Sequence, residues 1–201
     1  MDFKKPYINN FIKNKVIRKM LNSEPRSYKK EEKSEPKANK MEISKYVNYK
    51  EVIKSRTAVI NDIDNTPNEE QLERIRVLCR NLFDPLRVWA GGPIIVTSLF
   101  RSEELNDELG GSSTSQHMAN DGAAIDIDDT YEHKTNAEMF HYIKDNLEFD
   151  QLIAEFPKDG EPQWIHASYR EGNNRGNVFI ATKVNGETTY LHYNGNENLV
   201  D

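Results

Sequence analysis

The sequence predicts an α+β domain: a small, mostly antiparallel sheet with flanking helices, preceded by a basic arm. Three observations lead there. Helix-spaced apolar residues with capping signals dominate the first half of the body, and short alternating strands dominate the second. The chain closes on two strand-like runs, NVFIATKV and ETTYLHY, joined by Asn185-Gly186, the preferred pair for a type I′ turn. Charge divides the chain as well. Residues 1–50 hold 14 Lys/Arg against 6 Asp/Glu, while the whole chain carries a net charge of −6, so an acidic body follows a basic arm.

The elements follow in order. Ile8, Ile12, Val16 and Met20 recur every four residues among lysines, which reads either as a basic amphipathic helix over 1–21 or as a loosely helical surface segment. Residues 22–44 are rich in Lys, Glu, Ser and Pro and nearly free of large apolar side chains, the composition of a linker. The body then spans 45–201. Thr66-Pro67-Asn68-Glu69 is read as a capping box that opens a helix burying Leu72, Ile75, Leu78, Leu82 and Phe83. Pro85 should kink or split that run, which ends before Gly91-Gly92-Pro93. Ile94 to Ser98 is a strand, and Ser102 leads into a short helix ending at Gly110-Gly111. Ala123 to Asp128 alternates as a half-buried strand does, with Ile125 and Ile127 on one face and Asp126 and Asp128 on the other. A second capping box, Thr135-Asn136-Ala137-Glu138, starts a helix to about Leu147, and Phe149–Phe156 and Gln163–Ser168 read as strands.

Composition excludes several classes. Apolar residues make up 36 % of the 201, and no run approaches the ~20 apolar residues of a membrane-spanning helix. The single cysteine, Cys79, rules out an internal disulfide framework and a Cys-rich zinc knuckle; its helical spacing from Ile75 marks it as a small buried hydrophobe. The first fifteen residues contain lysines but no apolar h-region, so no secretory signal peptide is expected. Nucleic acid is a weak expectation as partner, since no reader fold is recognisable and the body is acidic.

Three residues offer chemistry together: His117 in a Ser/Gly-rich loop, Asp126 on the strand after it, and His166 on a later strand. Two imidazoles and a carboxylate are a ligand set that zinc accepts, with a fourth position left for water. A lone strand histidine is more often structural, so composition alone leaves both readings open. His133, His141 and His192 fall in a polar loop, on a helix and on the terminal hairpin, and are read as structural or solvated. Trp164, Tyr169 and Phe156 either line a groove or belong to the core.

The surrounding motifs are Thr97-Ser-Leu-Phe-Arg-Ser, Leu-Asn, Gly-Gly, Ser115-Gln-His117, Gly122-x-Ala-x-Asp126-Ile, Asp150-Gln-Leu-Ile-x-Glu155-Phe and Trp164-Ile-His166-x-Ser. In this order, over about residues 57–182, the chain resembles the M15 family of zinc peptidases, the D-alanyl-D-alanine carboxypeptidase group with its phage endolysin relatives. The resemblance implies a Zn2+ held by His117, Asp126 and His166, with Arg101 binding substrate or steadying the developing oxyanion and Ser115 close to the substrate. It also implies a peptidoglycan peptide as substrate. Without a signal peptide, a phage lytic enzyme made in the bacterial cytoplasm and acting at the cell wall is the expectation. The alternative is a structural component of a phage particle with a peptidase-like domain, active or inactive, anchored to other phage proteins through residues 1–44.

Two departures from the family pattern bear on activity. Met118-Ala119-Asn120-Asp121 puts two extra residues between the first ligand and Gly122, which either loop out, offer Asp121 as a substitute ligand, or spoil the site. Three residues before the last histidine the family usually has Glu, and here stands Gln163, whose amide cannot accept a proton at neutral pH. Glu155 and Glu161 are then the candidate general bases.

Overall fold

The computed structural model describes residues 42–195 and Leu199. The amphipathic run at 1–21 and nearly all of the segment at 22–44 lie outside the described residues. Ile43 is buried, and the Ser44 hydroxyl donates to Asp84 Oδ1 at 2.8 Å, so these two residues pack with the body.

Two short helices come first, α1 (Tyr49–Val52) and α2 (Arg56–Ile60). The long helical run follows as α3 (Glu69–Leu78), a π-helical turn (Cys79–Phe83) and α4 (Asp84–Ala90). Its cap departs from the sequence expectation. Asn68, not Thr66, is the N-cap, and the reciprocal box pairs it with Gln71: Gln71 N–H donates to Asn68 Oδ1 and Asn68 N–H to Gln71 Oε1, both at 2.9 Å. Two overlapping box patterns compete here, and an asparagine acceptor is at least as good a cap as threonine. The run divides just before Pro85, into α3, the π-helical turn and α4, and stays helical throughout. Pro85 falls in the first turn of α4, directly after the π-helical turn, whose wider winding relieves the clash a proline makes with the preceding turn. Asn81 supports the wide turn by donating its side-chain amide to Val77 O at 2.8 Å. Leu72, Ile75, Leu78, Cys79, Leu82 and Phe83 are all buried.

The remaining elements are β1 (Ile95–Ser98), α5 (Glu103–Glu108), a 3-10 turn (Gln116–Met118), β2 (Ala123–Asp128), α6 (Asn136–Asn146), β3 (Gln151–Glu155), β4 (Trp164–Tyr169), β5 (Asn177–Val184) and β6 (Glu187–His192). The Thr135 box opens α6 with both reciprocal bonds formed, and Asn185 and Gly186 both take positive φ (53° and 87°), as a type I′ turn requires.

Six strands form one sheet in the order β1-β2-β4-β3-β5-β6. All neighbouring pairs are antiparallel except β3 and β5. Strand alternation gives the sheet two unlike faces. Ile125, Ile127, Leu152, Ala154, Ile165, Ala167 and Ile180 share one face and join α3, α4 and α6 in a continuous core with Leu78, Leu82, Phe140 and Ile143. The opposite face carries a row in register across all six strands: Ser98, Asp126, His166, Ile153, Phe179 and His192. β2 is not half-buried as its alternation suggests. Its polar side is also covered, because the 3-10 turn lies over it, and Asp126 is 7 % exposed.

Candidate functional site

Asp126 and His166 sit directly opposite one another on β2 and β4, so antiparallel pairing alone brings two groups 40 residues apart into contact. His166 Nδ1 lies 2.9 Å from Asp126 Oδ1. His117 arrives from the 3-10 turn, held from two sides: the Arg101 amide donates to its carbonyl at 3.0 Å, and its ring Nδ1 lies 2.7 Å from Leu99 O. Since a carbonyl only accepts, Nδ1 carries the proton, and Nε2 presents its lone pair to Asp126 Oδ1 at 3.2 Å.

That contact is informative. Burial pushes the His117 imidazole below its ordinary proton affinity, against the pull of Asp126. Burial also works to raise Asp126, but the His117 and His166 imidazoles together hold its carboxyl well below the usual carboxylate range. With Nδ1 protonated toward Leu99 O, the neutral ring faces a carboxylate oxygen 3.2 Å away through its other nitrogen, a contact that either a second proton or a bound cation satisfies. One donor atom from each of His117, Asp126 and His166 falls within 4.8 Å of the others. A tetrahedron with zinc bonds of about 2.0–2.1 Å has edges of ~3.3 Å, and the two nitrogen-to-Asp126 separations, 2.9 and 3.2 Å, are close to that length.

Asp126 spends its second oxygen on Arg101, whose Nη2 donates to Oδ2 at 2.8 Å while Nε donates to Ser98 Oγ at 3.0 Å. Arg101, Ser115, His117, Asp126, Glu155 and His166, all singled out in the sequence, line one open cavity of about 560 Å³. Ser115 caps the 3-10 turn through its hydroxyl, which accepts from the His117 amide.

The two extra residues loop out without entering the cavity. Gln71 Nε2 donates to Met118 O and Arg74 Nη1 to Ala119 O (2.9 and 3.1 Å), which fastens the loop to α3. Asp121 is exposed and pairs with Arg170 at 3.2 Å, so it is not a substitute ligand. Gly122 restarts the strand at φ 104°, where a Cβ would stand 2.8 Å from Tyr169 O.

The carboxyl candidates part company. Glu155 is on the same sheet face as His166, one strand away and paired with Trp164, and it is 8 % exposed. Burial pushes its carboxyl up to about 7, with Asp126 adding to the rise and His166 and Arg101 opposing it. Glu161 is exposed and turned to another task, accepting from the Ala137 amide at the start of α6 at 3.1 Å. Gln163 is exposed and is not part of the cavity lining. Trp164 and Phe156 line the cavity, whereas Tyr169 is buried in the core. His133, His141 and His192 lie outside it.

Sequence reading missed a second group in the cavity wall. Asp150 is fully buried and accepts from Arg175 Nε and Gln116 Nε2, both at 2.9 Å; Arg170, Arg175 and Gln116 line the cavity, as do Thr188 and Tyr190 of β6. Asp150 was visible as part of a motif, but its pairing with Arg175 follows from the parallel β3–β5 pairing, which no local pattern signals.

No described helix is long and apolar enough to cross a membrane. No curated protein matches the chain. The family model for Peptidase M15 matches residues 45–168, the span that contains every residue of the His117, Asp126, His166, Arg101 and Glu155 constellation. By its matched span and by the sheet that carries that constellation, the chain belongs to the Peptidase M15 family.

Proposed function

We propose that the chain is a zinc-dependent peptidase that hydrolyses peptide bonds of bacterial cell-wall peptidoglycan, and that it is encoded by a phage and acts at the wall. The observation that supports the zinc reading is the convergence of one donor atom each from His117, Asp126 and His166 within 4.8 Å of one another on the cavity wall. The substrate and phage readings rest on the motif resemblance and on the family membership.

His117, Asp126 and His166 would hold the ion, which when bound supplies Lewis acidity toward the scissile carbonyl and its attacking water. The chain's own groups do the rest. Leu99 O fixes the His117 tautomer, and Arg101 orients Asp126. Glu155, ionised, takes the proton of the attacking water; protonated, it returns that proton to the leaving amine. A carboxyl near 7 serves both halves at neutral pH. Arg101 opposes negative charge as it develops on the carbonyl oxygen. Ser115 faces the substrate from the rim.

The same reading assigns the basic residues 1–44 a tethering role, toward an acidic partner or another phage protein, with attraction that weakens as salt rises. Removing residues 1–41 leaves Ile43 and Ser44 in place and tests the arm alone: unchanged incorporation into particles would end that role.

Elemental analysis beside wall digestion tests the activity. About one zinc per chain is expected in the wild type and almost none in His117→Ala. New peptide termini are expected in wall digests with the wild type and not with Glu155→Gln. Absence of zinc from the wild type after zinc is added, or termini that persist in His166→Ala, would refute the proposal.

A further inference from the structure

The family match ends at residue 168, yet the cavity does not: Thr188 and Tyr190 of the terminal hairpin line it too. Strand register explains how. Trp164, Glu155, Ala181 and Tyr190 form one row across β4, β3, β5 and β6, so Tyr190 stands two strands from Glu155 with only the small, buried Ala181 between them. Tyr190 and Glu155 line the same cavity from either side of that covered alanine. Burial first, then the Glu155 and Asp126 carboxylates, push the Tyr190 hydroxyl up, so it remains a protonated donor at neutral pH. Thr188, two residues earlier, lies on the same face. Lys183 Nζ donates to its Oγ1 at 2.8 Å, which leaves the Thr188 hydrogen to be given elsewhere. Two residues with hydroxyl donors thus share one face of β6 with backbone positions ~7 Å apart, the repeat at which an extended peptide presents carbonyls on one side.

We propose that Thr188 and Tyr190 form a substrate-backbone subsite, in which their hydroxyls hold carbonyls of an extended peptide running along β6, so that the enzyme takes substrates of several residues and not dipeptides. The inference rests on the peptidase reading and adds the length class of its substrate.

The test compares the wild type with a Thr188→Val/Tyr190→Phe variant of the full chain, zinc-loaded, on synthetic wall stem peptides of two and five residues. Loss of two hydrogen bonds is expected to lower the five-residue to two-residue ratio of kcat/KM by about ten-fold, chiefly through KM. An unchanged ratio overturns the subsite, and so does an equal fall for both lengths, since that marks a structural lesion. If the wild type cleaves neither peptide, the peptidase reading on wall stems fails by itself, and the subsite is then judged by calorimetric binding of the five-residue stem. About ten-fold weaker binding by the variant supports it. Equal binding, or none by the wild type, overturns it.

Discussion

Glu155 is held at a cost to the fold, and replacing it should make the metal-free protein more stable above neutral pH. The carboxyl is 8 % exposed, and burial moves it from an ordinary 4.5 to about 7. Below pH ~4.5 the group is protonated in both folded and unfolded chains and contributes no difference. As pH rises, the unfolded chain releases the proton first, and the folded state loses ground until its own group ionises near 7. A shift of this size corresponds to about 3 kcal/mol at pH 8. Glu155→Gln removes the ionisation and keeps the shape. Urea unfolding of the zinc-free chain at pH 4.5, 6 and 8 should therefore give nearly equal midpoints at pH 4.5 and a widening advantage for the variant toward pH 8, while wall hydrolysis falls by about 10²–10⁴-fold. Titrating groups that do not interact with Glu155 are common to both proteins and cancel in the difference. A stability difference that does not change with pH would refute the claim that Glu155 is desolvated, and with it the reason for assigning it the proton transfer.

Arg101→Met deprives Asp126 Oδ2 of its charge-assisted partner and the carbonyl oxygen of its cation; hydrolysis should drop by about 10²–10³-fold, read in wall digests. Asp121→Asn should leave zinc content unchanged by elemental analysis and cost well under about 1 kcal/mol in urea unfolding, because its pair with Arg170 is on the surface. Gly122→Ala forces a methyl toward Tyr169 O at an unfavourable φ and should destabilise by about 1–3 kcal/mol in the same assay.

Much of the site was legible because it depends on local patterns. Alternation over Ala123–Asp128 put Asp126 opposite the apolar face, and the same logic on β4 placed His166, so their meeting followed once the strands paired. The Thr135 box and the Asn185-Gly186 turn are sealed by residues within three positions of each other and read correctly for that reason. Where two local solutions compete, as Thr66 and Asn68 do for the α3 cap, pattern alone chose the wrong one. The choice between Glu155 and Glu161 was beyond it for another reason. It depends on which carboxyl shares a sheet face with His166 and which is drawn to the α6 amides. Arg175, Thr188 and Tyr190 were missed on the same ground, since β5 reaches the cavity only through a parallel pairing with β3.

The π-helical turn sets the rotational phase between two halves of one rod. Ile75, Leu78, Leu82, Leu86 and Ala90 all face the core, at steps of three, four, four and four residues. At ~100° per residue, an unbroken α-helix would carry such a series about 60° around its axis by the last member. The wide turn winds more slowly and returns the line toward the sheet. A chain with one residue deleted between Cys79 and Phe83 would return the turn to ordinary α-winding and leave α4 near its present phase, because four α-helical residues turn about as far as five π-helical ones. The rod is in effect a vernier: its wide turn takes up a single added residue, and the apolar edge of α4 stays aligned with that of α3 behind the strands that carry Asp126 and His166.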